Sequence, residues 1–315
     1  MLKSISRSSA SGGRFFSTGR RKAIRLGKVG PPYFVPPHVN TPEYANHAGA
    51  IGSRGPVFTP DMTIPLTVKR EDWPKLREIS KIVRGAMDHV RPHVVLGKTT
   101  EELDLIVFRY LTSHGAYPSS LYYGPKENAF PKSICTSINE VLAHGIPDDR
   151  PLENGDIINI DFAAFKDGLH SDMSETFIIG EASDVAKKLV QAARGSLQAA
   201  ISRLKPGEKL SVIGEAIEEH CHTYGFHSHD FVSGHGIGYS YHGPPVIEHS
   251  TRTPAIGLMT PGMVFTIEPL VGEREAQPFL LSDGWTIVSS DASLSAQFEH
   301  TILIMDDGVE VLTGP

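Results

Sequence analysis

Asp156-Ile-Ile-Asn-Ile-Asp161-Phe-Ala-Ala-Phe-Lys-Asp-Gly168-Leu-His-Ser-Asp172 is the stretch whose reading decides the fold. Ile158 and Ile160 alternate with Asn159 and Asp161, the period of a strand with two unlike faces, and Asp167-Gly168 is a pair that two-residue hairpin turns favour. With that loop, Asp161 stands opposite Ser174 and Asp172 is its diagonal neighbour; a loop centred on Lys166-Asp167 puts the two aspartates directly opposite. In both registers two carboxylates share one face, about 5–8 Å apart. Like charges that close repel unless a cation lies between them or one takes up a proton. The hairpin therefore reads as half of a metal site, or as a solvated polar strand face.

Further donors lie downstream. Ser233-Gly234-His235-Gly236-Ile237-Gly238 flanks a histidine with glycines, which lets backbone approach closely and leaves the imidazole uncovered. A phosphate loop is excluded because no Lys follows at P-loop spacing. In Met263-Val-Phe-Thr-Ile-Glu268-Pro269, period-2 alternation points Val264, Thr266 and Glu268 to one side, and Pro269 closes the strand. Ser295-Ala-Gln297-Phe-Glu299-His300-Thr301 is another strand with a carboxylate among apolar neighbours, costly unless it is paired or bound to metal. Val141-Leu-Ala-His144-Gly-Ile-Pro147 adds a histidine that is weak evidence alone. Asp161, Asp172, His235, Glu268 and Glu299 together suit two oxygen-rich divalent ions such as Mn, Co or Fe(II), with two carboxylates bridging.

Around these strands the periodicity is helical. Glu71 to Arg91 carries Leu76, Ile79, Val83, Ala86, Met87 and Val90 at helical spacing. Thr99-Thr-Glu-Glu102 is a capping box opening a helix that stops at Gly115. A second pair runs over 183–204 and 211–224, stopped by Gly225. Gly97 and Gly207 are 110 residues apart, as are Gly115 and Gly225, which suggests two helix–helix–strand halves related by a pseudo-twofold. With strands at Met263–Pro269, Trp285–Ser289 and Gln297–Met305, the fold class is α+β: a mostly antiparallel sheet with helices on one face.

Composition bounds the rest. The 315 residues carry a formal charge of −6, yet residues 1–42 hold eight Lys/Arg and no Asp or Glu, leaving 22 basic against 36 acidic side chains beyond them. That balance argues against nucleic-acid binding by the folded part. Cys135 and Cys221 are too few for a disulfide framework, and no apolar run is long enough to span a membrane. Residues 1–28 have the Arg- and Ser-rich, acid-free composition of a mitochondrial transit peptide, with Arg14-Phe15-Phe16-Ser17 like a matrix processing site. A basic arm for RNA or an acidic partner is the other reading. Residues 29–66 form a Pro-rich extended lead-in that could wrap the surface, and the folded domain is expected over 67–315.

Asn159-Ile-Asp161, Gly234-His-Gly-Ile-Gly238, Thr266-Ile-Glu-Pro269 and Ser295-Ala-Gln-Phe-Glu-His-Thr301 resemble the motifs of type I methionine aminopeptidases. So do His144-Gly-Ile-Pro147, Pro131-Lys-Ser133 with Cys135, and Trp285. The likeness runs from about Thr67 to Leu312. It implies the "pita-bread" fold and removal of the initiator methionine from nascent or organellar proteins when the second residue is small. It implies two divalent metal ions (Co, Mn, Fe(II) or Zn): one on Asp161, one on His235 and Glu268, bridged by Asp172 and Glu299. By the resemblance a metal-activated hydroxide attacks the Met carbonyl, Glu268 shuttles the proton, His242 stabilises the oxyanion and His144 bonds the substrate amide or the intermediate. Tyr123, Phe130, Cys135, Tyr241 and Trp285 would line the methionine pocket. The free α-amine on a metal would require prior deformylation. The implied setting is a monomer in the mitochondrial matrix acting on nascent N-termini, with the ribosome a candidate partner.

The chain departs from the family pattern at Ala143, Ala163, Ser171 and Met173, at Gly243-Pro244, and in residues 125–129, which look inserted beside the pocket. Pocket shape, rate and, through Met173, metal preference are where these changes should tell. An X-Pro aminopeptidase or prolidase of the same fold would share the ligand order but not the Ser295–Thr301 context. A non-catalytic binding protein of this fold would have lost ligands, and none is lost here.

Overall fold

The computed structural model describes residues 26–46 and 65–315; most of the leader lies outside them. The opening stretch is a hairpin of β2, Ile157–Lys166, and β3, Leu169–Ile178, with β1, Cys135–Ile138, along the outer edge of β2. Lys166 pairs with Leu169 and Asp161 with Ser174, so the first of the two registers is the real one. Asp167 and Gly168 both have positive φ, 51° and 85°, as a type I′ turn requires.

Four helices cover one face. They are α1, Trp73–Val90; α2, Thr100–Ser113; α3, Asp184–Ser202; and α4, Val212–Tyr224. α1 begins later than the periodicity suggests because Arg70–Asp72 is a 3-10 turn and proline occupies the first helical turn, where its missing N–H costs nothing. The Thr99 capping box is made in full. The helices pack on an antiparallel nine-stranded sheet that includes β4, Gly234–Gly236; β5, Gly243–Ile247; β6, Val264–Ile267; and β7, Glu299–Ile304. Its central order is β2-β3-β7-β6-β4-β5. One core joins Leu76, Ile79, Val83, Leu103 and Val107 to Ile158, Ile160 and Phe162; the other joins Leu189, Ala193, Ile213 and Ile217 to Phe265, Ile267 and Ile302. Each fully buried aliphatic side chain contributes about 1.5–3 kcal/mol.

The repeat is real, and it extends to single hydrogen bonds. Gly97 and Gly207 have φ of 82° and 83°, Gly115 and Gly225 of 70° and 72°. The Gly97 N–H donates to the Leu152 carbonyl at 2.8 Å, and Leu152 N–H returns one to Lys98; Gly207, Met259 and Glu208 repeat the exchange at the same length. Gly155 and Gly262, just before β2 and β6, share φ of 91° and 90°.

The halves meet where β3 pairs with β7, at Ser174↔Glu299 and Met173↔His300. Beyond that short seam the strands diverge, and two threonines take over from the ladder. Thr176 Oγ1 donates to the Gln297 carbonyl at 2.7 Å and accepts from Gln297 N–H at 3.0 Å. Thr301 Oγ1 does the same to Asp172, at 2.8 and 2.9 Å.

The described part of the lead-in, up to residue 46, packs on the domain. Asp149 Oδ1 accepts from Lys28 N–H at 2.7 Å, Tyr33 packs on Phe108, and Tyr44 Oη donates to the Ser119 carbonyl at 2.6 Å. Both cysteines are free and buried. Among the described residues no helix is long and apolar enough to cross a membrane.

Candidate metal centre and substrate pocket

Strand register delivers the donors to one belt. Cys135 is opposite Asp161, Asp161 opposite Ser174, and Ser174 opposite Glu299. Glu268 follows the end of β6, which pairs with β7. His235 on β4 lies beside Thr266, whose hydroxyl accepts from His235 N–H at 3.0 Å. Asp172 is two residues from Ser174 and therefore on the same face. The glycines around His235 have a steric reason: a Cβ on Gly234 would collide with the Thr266 carbonyl, and one on Gly236 with the Pro244 carbonyl. They bring strands together, and His235 itself is buried.

Asp172, His235 and Glu299 each place one ligand atom within 4.8 Å of the others, the one such cluster found among the described residues. His235 Nδ1 lies 3.2 Å from the Gly236 carbonyl, which holds the proton on Nδ1 and leaves Nε2 as a lone pair, 3.6 Å from Glu268 Oε1. Thr266 Oγ1 donates to Glu268 Oε1 at 2.8 Å, and Gln297 Nε2 donates to the Glu268 carbonyl at 3.0 Å. Burial and then Glu268 push Asp161 up to about 8; burial pushes Glu268 up to about 7. Asp172 and Glu299 are raised well above the carboxylate range by burial and by their acidic neighbours. Burial lowers His235 to about 3, so it is a neutral donor. No Lys or Arg lines the site, and Asp172 Oδ1 is buried without a hydrogen bond. Four carboxylates, Asp172 and Glu299 buried and Asp161 and Glu268 half-buried, and a neutral imidazole fit a hard or borderline divalent cation.

All twelve residues read from the sequence line one cavity of about 260 Å³. Its walls are aromatic. Tyr123 meets Tyr241 edge-on at 4.9 Å, and Phe130 meets Trp285 edge-on at 5.3 Å. The Cys135 thiol is pushed well above its ordinary value by burial and nearby carboxylates, so it serves as a soft apolar wall rather than a nucleophile. His144 and His242 also line the cavity. Burial lowers His144 to about 4, and burial with His235 holds His242 well below its ordinary value. His144 holds φ of 54°, backbone strain of the kind that collects at working sites.

The departures sort by strand face. Ala163 is directly opposite Asp172 and gives it no hydroxyl. Ser171 and Met173 alternate away from Asp172, Met173 into the helix-side core. The segment 125–129 buttresses the pocket: Trp285 Nε1 donates to the Asn128 carbonyl at 2.8 Å.

Some contributors escaped the sequence reading. His170 stacks parallel on Tyr241 at 5.4 Å, with Nδ1 2.8 Å from Ser119 Oγ. His249 Nε2 accepts from Glu268 N–H at 3.3 Å. His170 shares the strand face of Asp172, so period two could have found it; His249 carries no such signal.

A model of the metallopeptidase family M24 matches residues 74–306. Methionine aminopeptidase 2 of Mycobacterium tuberculosis is 40% identical over 93% of this chain and 98% of its own. The human mitochondrial methionine aminopeptidase 1D is 42% identical over 89% of this chain and 79% of its own. The crystal structure of methionine aminopeptidase from Rickettsia prowazekii superposes with a TM-score of 0.76 at 37% identity, covering 80% of this chain and 100% of the other. The curled antiparallel sheet under paired helices is the fold these share, and the chain belongs to the type I methionine aminopeptidases of metallopeptidase family M24.

Proposed function

We propose that this aminopeptidase removes the initiator methionine from nascent or organellar proteins whose second residue is small, through a dinuclear site on Asp161, Asp172, His235, Glu268 and Glu299. The observation that carries the reading is the convergence of these donors on one aromatic-lined cavity, with Asp172, His235 and Glu299 buried in it. Asp161 would hold one divalent ion and His235 with Glu268 the other, with Asp172 and Glu299 shared; the compact Asp172–His235–Glu299 cluster supports the second position. Ions bound there would supply Lewis-acid activation of water and of the substrate carbonyl.

The chain's own groups do the rest. Tyr123, Phe130, Cys135, Tyr241 and Trp285 take the methionine side chain, whose soft sulfur suits aromatic edges and a thiol. Water adds to the methionyl carbonyl carbon, the C–N bond breaks, and Glu268 carries the proton from water to the leaving amine. The Thr266 and Gln297 hydrogen bonds aim its carboxylate. His242 stabilises the oxyanion, and His144 bonds the scissile amide. A free α-amine is needed, so formylated chains are excluded. The basic, acid-free start of the chain and the mitochondrial relative support import into the matrix, where the enzyme would act as a monomer. We place the folded domain over 67–315, with residues 29–46 packed against its outside.

A peptide panel tests this. Met-Ala-Ser should release methionine with Mn(II) or Co(II), Met-Leu-Ser at least about tenfold more slowly, and Ala-Pro not at all. Cleavage of Ala-Pro in preference to Met-Ala-Ser would overturn the reading in favour of an X-Pro enzyme.

A further inference from the structure

The two halves stitch their diverging strands identically, with one exception. Thr301 holds the peptide of Asp172 just as Thr176 holds that of Gln297. Asp172 is preceded by Ser171, whereas Gln297 is preceded by Ala296, which lies in the second-half core. Ser171 is fully buried on the helix side of β3. Its Oγ is 3.4 Å from Thr301 Oγ1 and 2.9 Å from Oγ of Ser80 on α1. Ser80 Oγ is also 2.8 Å from the Leu76 carbonyl one turn earlier. These hydroxyls therefore form a buried line from Ser80 of α1 to both polar groups of the Asp172 peptide. Three protons fill that line: Thr301 donates to the Asp172 carbonyl and accepts from its N–H and from Ser171, Ser171 accepts from Ser80, and the Leu76 carbonyl is the alternative acceptor for the Ser80 proton. A buried hydroxyl without its partner is costly, so the line resists any shift of β3 relative to α1. Asp172 needs such support, because Ala163 opposite it offers no hydrogen bond and its Oδ1 has none.

We propose that Ser80 and Ser171 are positioning residues for Asp172, fixing its carboxylate for metal through the Thr301-held peptide. The inference rests on Asp172 being a metal ligand. The test measures Mn(II) affinity by calorimetry on the metal-free full chain, in Ser80→Ala, Ser171→Ala and the double variant. Ser196→Ala is the control: it is an equally buried helix serine, bonded to the Ala193 carbonyl at 2.9 Å and not among the residues lining the site. Each variant at the Ser80–Ser171 pair should raise the Mn(II) Kd about threefold or more, short of the roughly tenfold or greater cost of losing a ligand's direct partner. The double variant should be no weaker than the worse single. Ser196→Ala should lower the melting temperature comparably and leave the Kd unchanged.

Unchanged Kd in the folded Ser80 and Ser171 variants, or equal weakening by Ser196→Ala, would overturn the proposal. Should Ser171→Ala fail to fold, Ser80→Ala alone decides between these results. Asp172→Asn separates the two levels: unchanged affinity there overturns the site itself, whereas abolished affinity beside unaffected serine variants overturns only the positioning role.

Discussion

The two halves of the molecule share a scaffold but reach the site differently. Asp161 lies four residues into the strand that begins at Ile157, and Glu268 lies four beyond Val264, so these carboxylates occupy equivalent places. In the first half the chain returns at once through Asp167-Gly168. In the second it leaves for a long excursion, through Leu270–Gly272, Pro278–Leu280 and Ile287–Ser289, before β7 comes back. That excursion carries Trp285, a wall of the pocket. At the seam Ser174 faces Glu299: the first half offers a hydroxyl where the second offers a carboxylate. Symmetry thus builds the frame, and its violations build the chemistry.

If both halves feed one centre, removing a donor from either should be equally damaging. Asp161→Asn and Glu299→Gln should each reduce methionine release from Met-Ala-Ser by more than the roughly 10–100-fold that losing an outer hydrogen-bond partner costs a metal site. Retention of substantial activity in one variant alone would show that its half is dispensable.

A smaller effect concerns the metal-free protein. Asp161 and Glu268 are held near 8 and 7, above the roughly 4 of an unfolded chain. The folded state therefore binds more protons, and its stability falls as pH rises from about 5 to about 8. Denaturant unfolding across that window should show the fall, and saturating Mn(II) should flatten it. A metal-free stability that rises with pH would contradict the crowding of carboxylates. Smallest and most symmetric are the helix-end glycines. Gly115→Ala and Gly225→Ala meet no atom within 4 Å, so only left-handed strain remains, about 1–2 kcal/mol each. Unequal losses would show that the halves differ in rigidity as well as in donors.

What could be read in advance follows the same division. The hairpin was legible because one turn fixes every partner: given Asp167-Gly168, Asp161 must face Ser174. The paired helices showed in spacing and in Gly97, Gly115, Gly207 and Gly225. The pocket residues came through motif resemblance, since Tyr123, Phe130 and Trp285 have no periodicity relating them. Asn128 reaching Trp285, His249 behind Glu268 and Ser80 behind Ser171 were hidden because they join segments whose approach only the folded sheet creates.

The most direct test of the central claim is metal stoichiometry. Titrating the metal-free chain with Mn(II) should reveal two ions per molecule in the unaltered protein, and the weaker or stronger of the two should vanish in Asp161→Asn while one remains. A single ion per chain, unchanged by Asp161→Asn, would contradict the view that the two halves jointly build a dinuclear centre.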